Sequence, residues 1–127
     1  MRCVDTSFLI DFAKGHPAAR AFFEDDGADV YYAPTPALAE AYTGLFYLGD
    51  YTTEEAVARF GWTTPQPITH GISIEVARLQ ADLMRAGTSV KTADAYIAAT
   101  ARSLDVPLIA HDDHFERIDG LDVLAYR

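Results

Sequence analysis

The sequence predicts an α/β fold: a three-layer α/β/α sandwich around a mainly parallel central sheet of four to five strands. Three observations carry that expectation. Short apolar runs of strand length alternate with stretches of helical pattern, and strands separated by helices require crossover connections and parallel pairing. The runs Cys3-Val4, Val30 to Ala33 and Val106 to Ala110 contain no charge, as strands buried on both faces do. The first run stops abruptly on Asp5, Thr6 and Ser7. That places a carboxylate at the carboxyl edge of a strand, where open α/β sheets hold their ligands.

In chain order, Ser7 to Lys14 forms a first helix ended by Gly15 and Pro17, and Ala18 to Glu24 a second, closed by Asp25-Asp26-Gly27. Val30 to Ala33 is a short strand. Thr35 as N-cap and Pro36 in the first turn open a helix that runs to about Leu48, before Gly49-Asp50. Another helix spans about Thr53 to Phe60. Trp62 to Thr69 is broken by Pro65 and Pro67 and holds only a short edge-like strand near Ile68. Ser73 to Ala86 is the cleanest amphipathic stretch: Val76, Leu79 and Leu83 recur at three or four residues, with Glu75, Arg78, Asp82 and Arg85 on the other side, and Gly87 ends it. Thr92 to Leu104 is the next helix, with Thr92 as N-cap, followed by the strand Val106 to Ala110 and a last strand, Val123 to Tyr126. Repeats, linkers and low-complexity tracts are absent.

The 127 residues, half of them hydrophobic, suit one domain, 1-127, able to bury one core. The single cysteine, Cys3, has no intrachain partner and fits a reducing cytoplasm as a buried small hydrophobe. No apolar run approaches the roughly 20 residues that span a bilayer, and no basic region precedes a long hydrophobic run at the N-terminus; a cytoplasmic protein without a membrane segment is expected. The net charge of -9 and pI near 4.6 argue at face value against nucleic-acid binding, because phosphate affinity comes largely from Lys and Arg. The acidity fits a high-salt cytoplasm and an ordinary acidic protein equally well.

Four carboxylates stand where solvation does not explain them. Asp5 ends a strand. Glu40 is the only charge from Ala33 through Gly49, in a helix rich in Ala, Leu, Tyr and Phe that looks largely buried. Asp94 is followed at three, four and seven residues by Ile97, Ala98 and Ala101, so it sits in the first turn of an apolar stripe. Asp112 follows the strand ending at Ala110 by two residues. Each has a plain structural alternative: Asp5 a turn or helix cap, Glu40 a buried pair with an arginine, Asp94 a favourable charge at a helix N-terminus, Asp112 a loop acid in His111-Asp112-Asp113-His114. Taken together, carboxylates gathered in a poorly solvated cleft repel one another unless a positive charge lies among them. All-oxygen donors suit Mg²⁺ or Mn²⁺ rather than a thiolate-bound Zn²⁺. Such a centre points to phosphodiester hydrolysis.

With those residues in place, the chain resembles the PIN domain family, and within it the small stand-alone ribonucleases of VapC type that act as toxins in toxin-antitoxin pairs. The resemblance rests on Val4-Asp5-Thr6-Ser7-Phe8-Leu9-Ile10-Asp11, Leu38-Ala39-Glu40, Thr92-Ala93-Asp94-Ala95-Tyr96-Ile97-Ala98-Ala99, Leu108-Ile109-Ala110-His111-Asp112 and Phe115-Glu116-Arg117-Ile118, in that order across almost the whole chain. It implies that Asp5, Glu40, Asp94 and Asp112 form an acidic quartet that binds one or two Mg²⁺ (or Mn²⁺) ions and activates water for endonucleolytic RNA cleavage, Asp5 and Asp94 being the surest ligands. It also implies an RNA substrate, a VapB-type antitoxin whose C-terminal helix or extended arm covers the cleft, and pairing as a homodimer. Two departures matter. The family commonly places an acid immediately before the phenylalanine that here is Phe115, where this chain has His114, so Asp113 is a fallback for the fourth acid. Ala110 replaces a common threonine, leaving Thr6 or Ser7 to orient Asp5 or a water.

His111 and His114 lie three apart without a third nitrogen or sulfur ligand nearby, and solvated loop residues are expected. The aromatics Tyr42, Phe46, Tyr47, Tyr51, Phe60 and Trp62 fit core packing better than stacking on RNA bases or a partner groove. Arg2, Lys91 and Arg102 flank the motif segments and are candidates to guide RNA. Two rivals are weighed. A Mg²⁺-binding receiver domain needs a phosphoacceptor Asp on a mid-chain strand and a Lys on a later strand end, whereas Val30 to Ala33 ends in Pro34 and Lys91 precedes a helix. A PIN-like binding module without catalysis is opposed by the intact quartet.

Overall fold

The computed structural model describes all 127 residues. Five strands, β1 (Arg2–Val4), β2 (Tyr31–Pro34), β3 (Thr64–Gln66), β4 (Leu108–Ala110) and β5 (Val123–Ala125), alternate with six helices, α1 (Thr6–Ala13), α2 (Pro17–Asp26), α3 (Thr35–Leu48), α4 (Thr53–Arg59), α5 (His70–Arg85) and α6 (Thr92–Leu104). A short 3-10 helix, Asp113–Arg117, lies between β4 and β5. Every strand pairing is parallel and the spatial order is β3-β2-β1-β4-β5. The chain therefore starts in the middle of the sheet, builds outward to one side and later returns to build the other. The crevice between β1 and β4 is the point where the strand order reverses.

Register fixes what stands at that point. Cys3 is opposite Tyr32 on one side and Leu108 on the other, Val4 is opposite Ile109, and the Asp5 N–H donates to the Ile109 carbonyl at 3.2 Å. Successive side chains of a strand point to opposite faces, and Cys3, Val4, Leu108 and Ile109 are all fully buried. Both faces of the central strands are therefore covered by helices, as the sequence predicts. α5 packs on α6, and α6 on β1 and β2, while α1 meets α2, α3 and β4. One cluster of 27 buried hydrophobic residues forms the core. Cys3 belongs to it, and burial pushes its thiol up to about 12, which makes it the inert small hydrophobe that was expected. No helix is long and apolar enough to cross a membrane.

The structure moves several boundaries. α5 begins at His70, because the Thr69 hydroxyl caps the Ile72 N–H at 3.1 Å. α4 begins at Thr53, as expected, capped by Thr52 with Glu55 reaching back to the Thr52 N–H in a capping box. α3 and α6 start one residue earlier than expected, so Pro34 and Lys91 occupy their cap positions and make no side-chain cap bond. The edge strand lies at Thr64–Gln66 rather than near Ile68, and contains Pro65. An edge strand tolerates that missing donor because it has a partner on one side only. The aromatic set divides. Phe60 is buried, and Trp62 packs 4.7 Å from Phe12 and 6.1 Å from Phe8 in a cluster that also takes in Phe23 and Tyr31. Phe46 and Tyr47 stand out in solvent at the end of α3, with Leu48 beside them.

Candidate active site at the carboxyl edge of the sheet

Asp5 follows β1 directly and is the N-cap of α1: its Oδ1 accepts the Phe8 N–H at 2.8 Å. The cap accounts for one lone pair only. The residue is 2 % exposed, and no Lys, Arg or His pairs with it. Burial, reinforced by the charges of Asp112, Asp94 and Asp11, pushes its carboxyl up to about 7 against the capping bond that favours the anion. The cap and the unusual charge, which from sequence are alternatives, coexist in one side chain.

Asp94 occupies the first turn of α6, half-buried. Its carboxyl is raised above the ordinary range by burial and by the charges of Glu40 and Asp112, while His114 opposes the rise. His114 Nε2 is 3.0 Å from Asp94 Oδ2, outside hydrogen-bond alignment, so that buried nitrogen has no aligned acceptor. His114 is held there by Phe115, whose fully buried ring lies 4.5 Å from the imidazole. A solvated loop residue was expected at this position, and the contact with Asp94 corrects that.

Asp112 lies just past β4, exposed, as the residue preceding the 3-10 helix. Its charge bears on both Asp5 and Asp94. Glu40 is exposed rather than buried, because α3 buries only Ala37, Leu38 and Ala41 and turns its other faces outward. It is nonetheless tied to the site: the Thr6 hydroxyl donates to Glu40 Oε1 at 2.7 Å. Thr6 therefore orients Glu40, not Asp5. Asp5, Asp94 and Asp112 thus act on one another electrostatically at the carboxyl edge of the sheet, and Glu40 acts on Asp94 and is bonded to Thr6.

The donor chemistry can be tested against a divalent cation. The oxygens of Asp5, Asp94, Asp112 and Glu40 are hard donors, thiolates are absent, and the buried Asp5 carboxylate has no positive partner; each of these suits Mg²⁺ or Mn²⁺. No three His, Cys, Asp or Glu side chains stand close enough together to hold a metal ion between them. That is compatible with magnesium, which takes one or two carboxylates and keeps several waters, and incompatible with a structural zinc site.

Two of the three expected guiding cations are elsewhere. Arg2 begins β1 at the opposite edge of the sheet and is bound to Asp26 at 3.0 Å. Arg102, in the last turn of α6, pairs with Glu75 at 3.6 Å and donates to the Asp119 carbonyl. Lys91 remains at the site, lining a shallow hollow with Asp94 and His114.

Comparison with known proteins agrees with this architecture. Solved structures that superpose on the chain include VapBC2 from Rickettsia felis bound to a DNA fragment from its promoter, with 16 % identity, TM-score 0.84, and 99 % of this chain and 98 % of that chain covered. VapBC-5 from Mycobacterium tuberculosis, of the VapBC family of toxin-antitoxin systems, shares 27 % identity at TM-score 0.67, covering 98 % and 96 %. VapC20 of Mycobacterium tuberculosis, a sarcin-ricin loop cleaving toxin, shares 17 % at TM-score 0.71, covering 92 % and 94 %. A search of curated proteins finds no match. The PIN domain family model matches residues 2–121, a span that begins with β1 and takes in all four acids, and the chain belongs to the PIN domain family.

Proposed function

We propose that this protein is a metal-dependent endoribonuclease and the toxin of a toxin-antitoxin pair. The observation that carries the reading is Asp5: a buried, unpaired carboxylate at the strand-order reversal, within electrostatic reach of Asp94 and Asp112. Carboxylates are placed this way at a stability cost, which makes a functional site the economical explanation. The similarity to VapBC complexes and to a toxin that cleaves the sarcin-ricin loop supports the toxin-antitoxin assignment.

In this reading Asp5 and Asp94 would hold a Mg²⁺ or Mn²⁺ ion, with Asp112 and Glu40 adding negative charge nearby. When bound, the ion lowers the pKa of a nucleophilic water and offsets the negative charge that develops around phosphorus. The protein's own groups do the positioning. The α1 cap fixes the Asp5 rotamer, the first turn of α6 fixes Asp94, and the Thr6 hydroxyl restrains the otherwise mobile Glu40. The acidity is then consistent with an RNA substrate, because the acids attract phosphate once the cation is present.

Partner surfaces follow from the apolar exterior. Between α1, α3 and α4 lies a hollow of about 450 Å³ lined by Ile10, Ala41, Leu45, Leu48, Tyr51 and Phe60. Phe46, Tyr47 and Leu48 are 47 %, 87 % and 75 % exposed beside it, and contiguous exposed apolar residues are a feature of protein–protein contact sites. We assign this region to protein partners, a VapB-type antitoxin and a second copy in a homodimer.

The test is incubation of the purified protein with total RNA and Mn²⁺, alongside Asp5→Asn and Asp94→Asn, with mapping of the cut ends. Wild type is expected to cut at discrete positions and both variants to be silent. Equal cleavage by all three would identify a contaminating nuclease and overturn the proposal.

A further inference from the structure

RNA entering a site ringed by acids on a chain of net charge -9 needs a local cation to hold the strand beside the bond being cut. With Arg2 and Arg102 turned to other duties, one arginine stands out by topology. Ala125 of β5 is in register with Ala110 of β4. Arg127 therefore extends as far past β5 as Asp112 does past β4, at the edge of the sheet where Asp5 lies.

Its placement is built rather than incidental. Arg127 Nη1 lies 2.9 Å from Asp11 Oδ2, and the same oxygen accepts the Tyr126 hydroxyl at 2.6 Å. Tyr126 is 6 % exposed, with its ring edge-on to Phe8 at 4.9 Å, and Phe8 is the residue whose N–H donates to the Asp5 cap. The strand end that carries the arginine is thus locked to the helix start that carries the catalytic carboxylate. Asp11 takes one nitrogen of a planar fork with five N–H donors, and the Arg127 side chain keeps 37 % of its surface in solvent. The bond to Asp11 restrains the guanidinium and is the one side-chain hydrogen bond it makes, so the remaining donors are free for a second anion. A guanidinium matches phosphate oxygens two at a time, and prior orientation lowers the entropy lost on binding.

We propose that Arg127 is a substrate-binding residue of the acidic site, gripping a phosphate of the RNA strand adjacent to the scissile one. This rests on the ribonuclease reading above. The alternative is that Arg127 only pins the end of β5 to α1, and the two predict different kinetics.

The experiment measures initial rates of cleavage of a fluorescein-labelled single-stranded RNA of mixed sequence, in Mn²⁺, across a potassium chloride series, for wild type, Arg127→Gln and Arg127→Lys. Losing one phosphate contact on a single strand flattens the slope of log KM against log salt by about 0.7. Arg127→Gln is expected to show that flattening, with KM up about fivefold at low salt and kcat within about twofold. Arg127→Lys keeps the charge and is expected to recover the slope but only part of the KM, because it lacks the fork. If Arg127 merely anchors the strand, Arg127→Gln lowers kcat through a smaller folded fraction and leaves KM and slope at wild-type values; that result overturns the proposal. Failure of wild type to cleave the RNA would defeat the ribonuclease reading itself, whereas wild-type cleavage with an unaltered Arg127→Gln profile would defeat this assignment alone.

Discussion

Replacing Asp5 by Asn is expected to make the protein more stable while abolishing cleavage, and pH makes the reason measurable. Burial and neighbouring acids push the Asp5 carboxyl from 3.8 to about 7. Between about pH 4 and pH 7 the folded chain keeps a proton that the unfolded chain has lost, so stability falls as pH rises through that window and the loss is complete above it. About three pH units at 1.36 kcal/mol each sets a ceiling of about 4 kcal/mol; relaxation of the site around the charge brings the expectation to about 2 to 4 kcal/mol. Asn carries no charge at any of these pH values and still offers an oxygen to the Phe8 N–H, as good N-caps do. The difference between variant and wild type should therefore be small at about pH 4 and below, grow steadily through about pH 5 to pH 7, and reach its full size by about pH 8. Urea unfolding in EDTA, followed by the fluorescence of the single tryptophan, Trp62, reads it directly. Adding Mg²⁺ should then return stability to wild type alone, by about 2.7 kcal/mol at a hundredfold excess over Kd. A pH-independent difference, a less stable variant, or equal stabilisation of both proteins by Mg²⁺ would refute the reasoning.

Two further outcomes follow from the same geometry. Because an Asp5 carboxyl near 7 must lose its proton before it can hold a cation, kcat/KM at low Mg²⁺ should rise about tenfold per pH unit below that value and level off above it, and raising Mg²⁺ should move the midpoint to lower pH; a profile flat from about pH 5 to pH 8 would contradict it. Thr6→Ala frees Glu40 by removing the hydroxyl bonded at 2.7 Å. Cleavage should fall about 10-fold or more, with stability changed by less than about 1 kcal/mol because the pair is exposed, and urea melts beside rate measurements separate the two effects.

The fold was legible because its signals are long-range only in space. Alternation of uncharged runs with helical stretches fixes a parallel sheet, and the charge that interrupts the first run marks its carboxyl edge, so Asp5, Asp94 and Asp112 could be assigned to one region before any contact was known. What the sequence misjudged depended on partners it does not display. Glu40 has apolar neighbours along the chain, and its helix looked buried; in space the apolar residues Phe46, Tyr47 and Leu48 lie outward, and Glu40 is exposed but restrained by Thr6 across 34 residues. Arg2 and Arg102 lie near motif residues in sequence, yet a strand and a helix carry them to the far edge, where Asp26 and Glu75 take them. The Asp11, Tyr126 and Arg127 group joins residues more than a hundred positions apart, and no local pattern announces it. The start of α5 shifted for a smaller reason: Thr69 lies just outside the apolar pattern of that helix, although its hydroxyl sets where the helix begins.

Asp5 unites two demands that usually separate. As an N-cap it stabilises α1, in which Phe8 gathers Phe12, Phe22, Trp62 and Tyr126 around its ring; as a buried anion it works against the fold at neutral pH. Asn would meet the first demand without the cost of the second. The sequence has Asp, and what Asp offers that Asn cannot is a negative charge. No basic side chain of this chain pairs with that charge, and the proposed function supplies its complement from outside, as a cation or as a basic group on a partner. Either would stabilise the folded protein in proportion to its concentration over Kd. On this argument, activity, inhibition and stability are linked through one carboxylate, and a ligand that neutralises Asp5 should be recognisable first by the rise it causes in the unfolding midpoint of the wild type and not of Asp5→Asn.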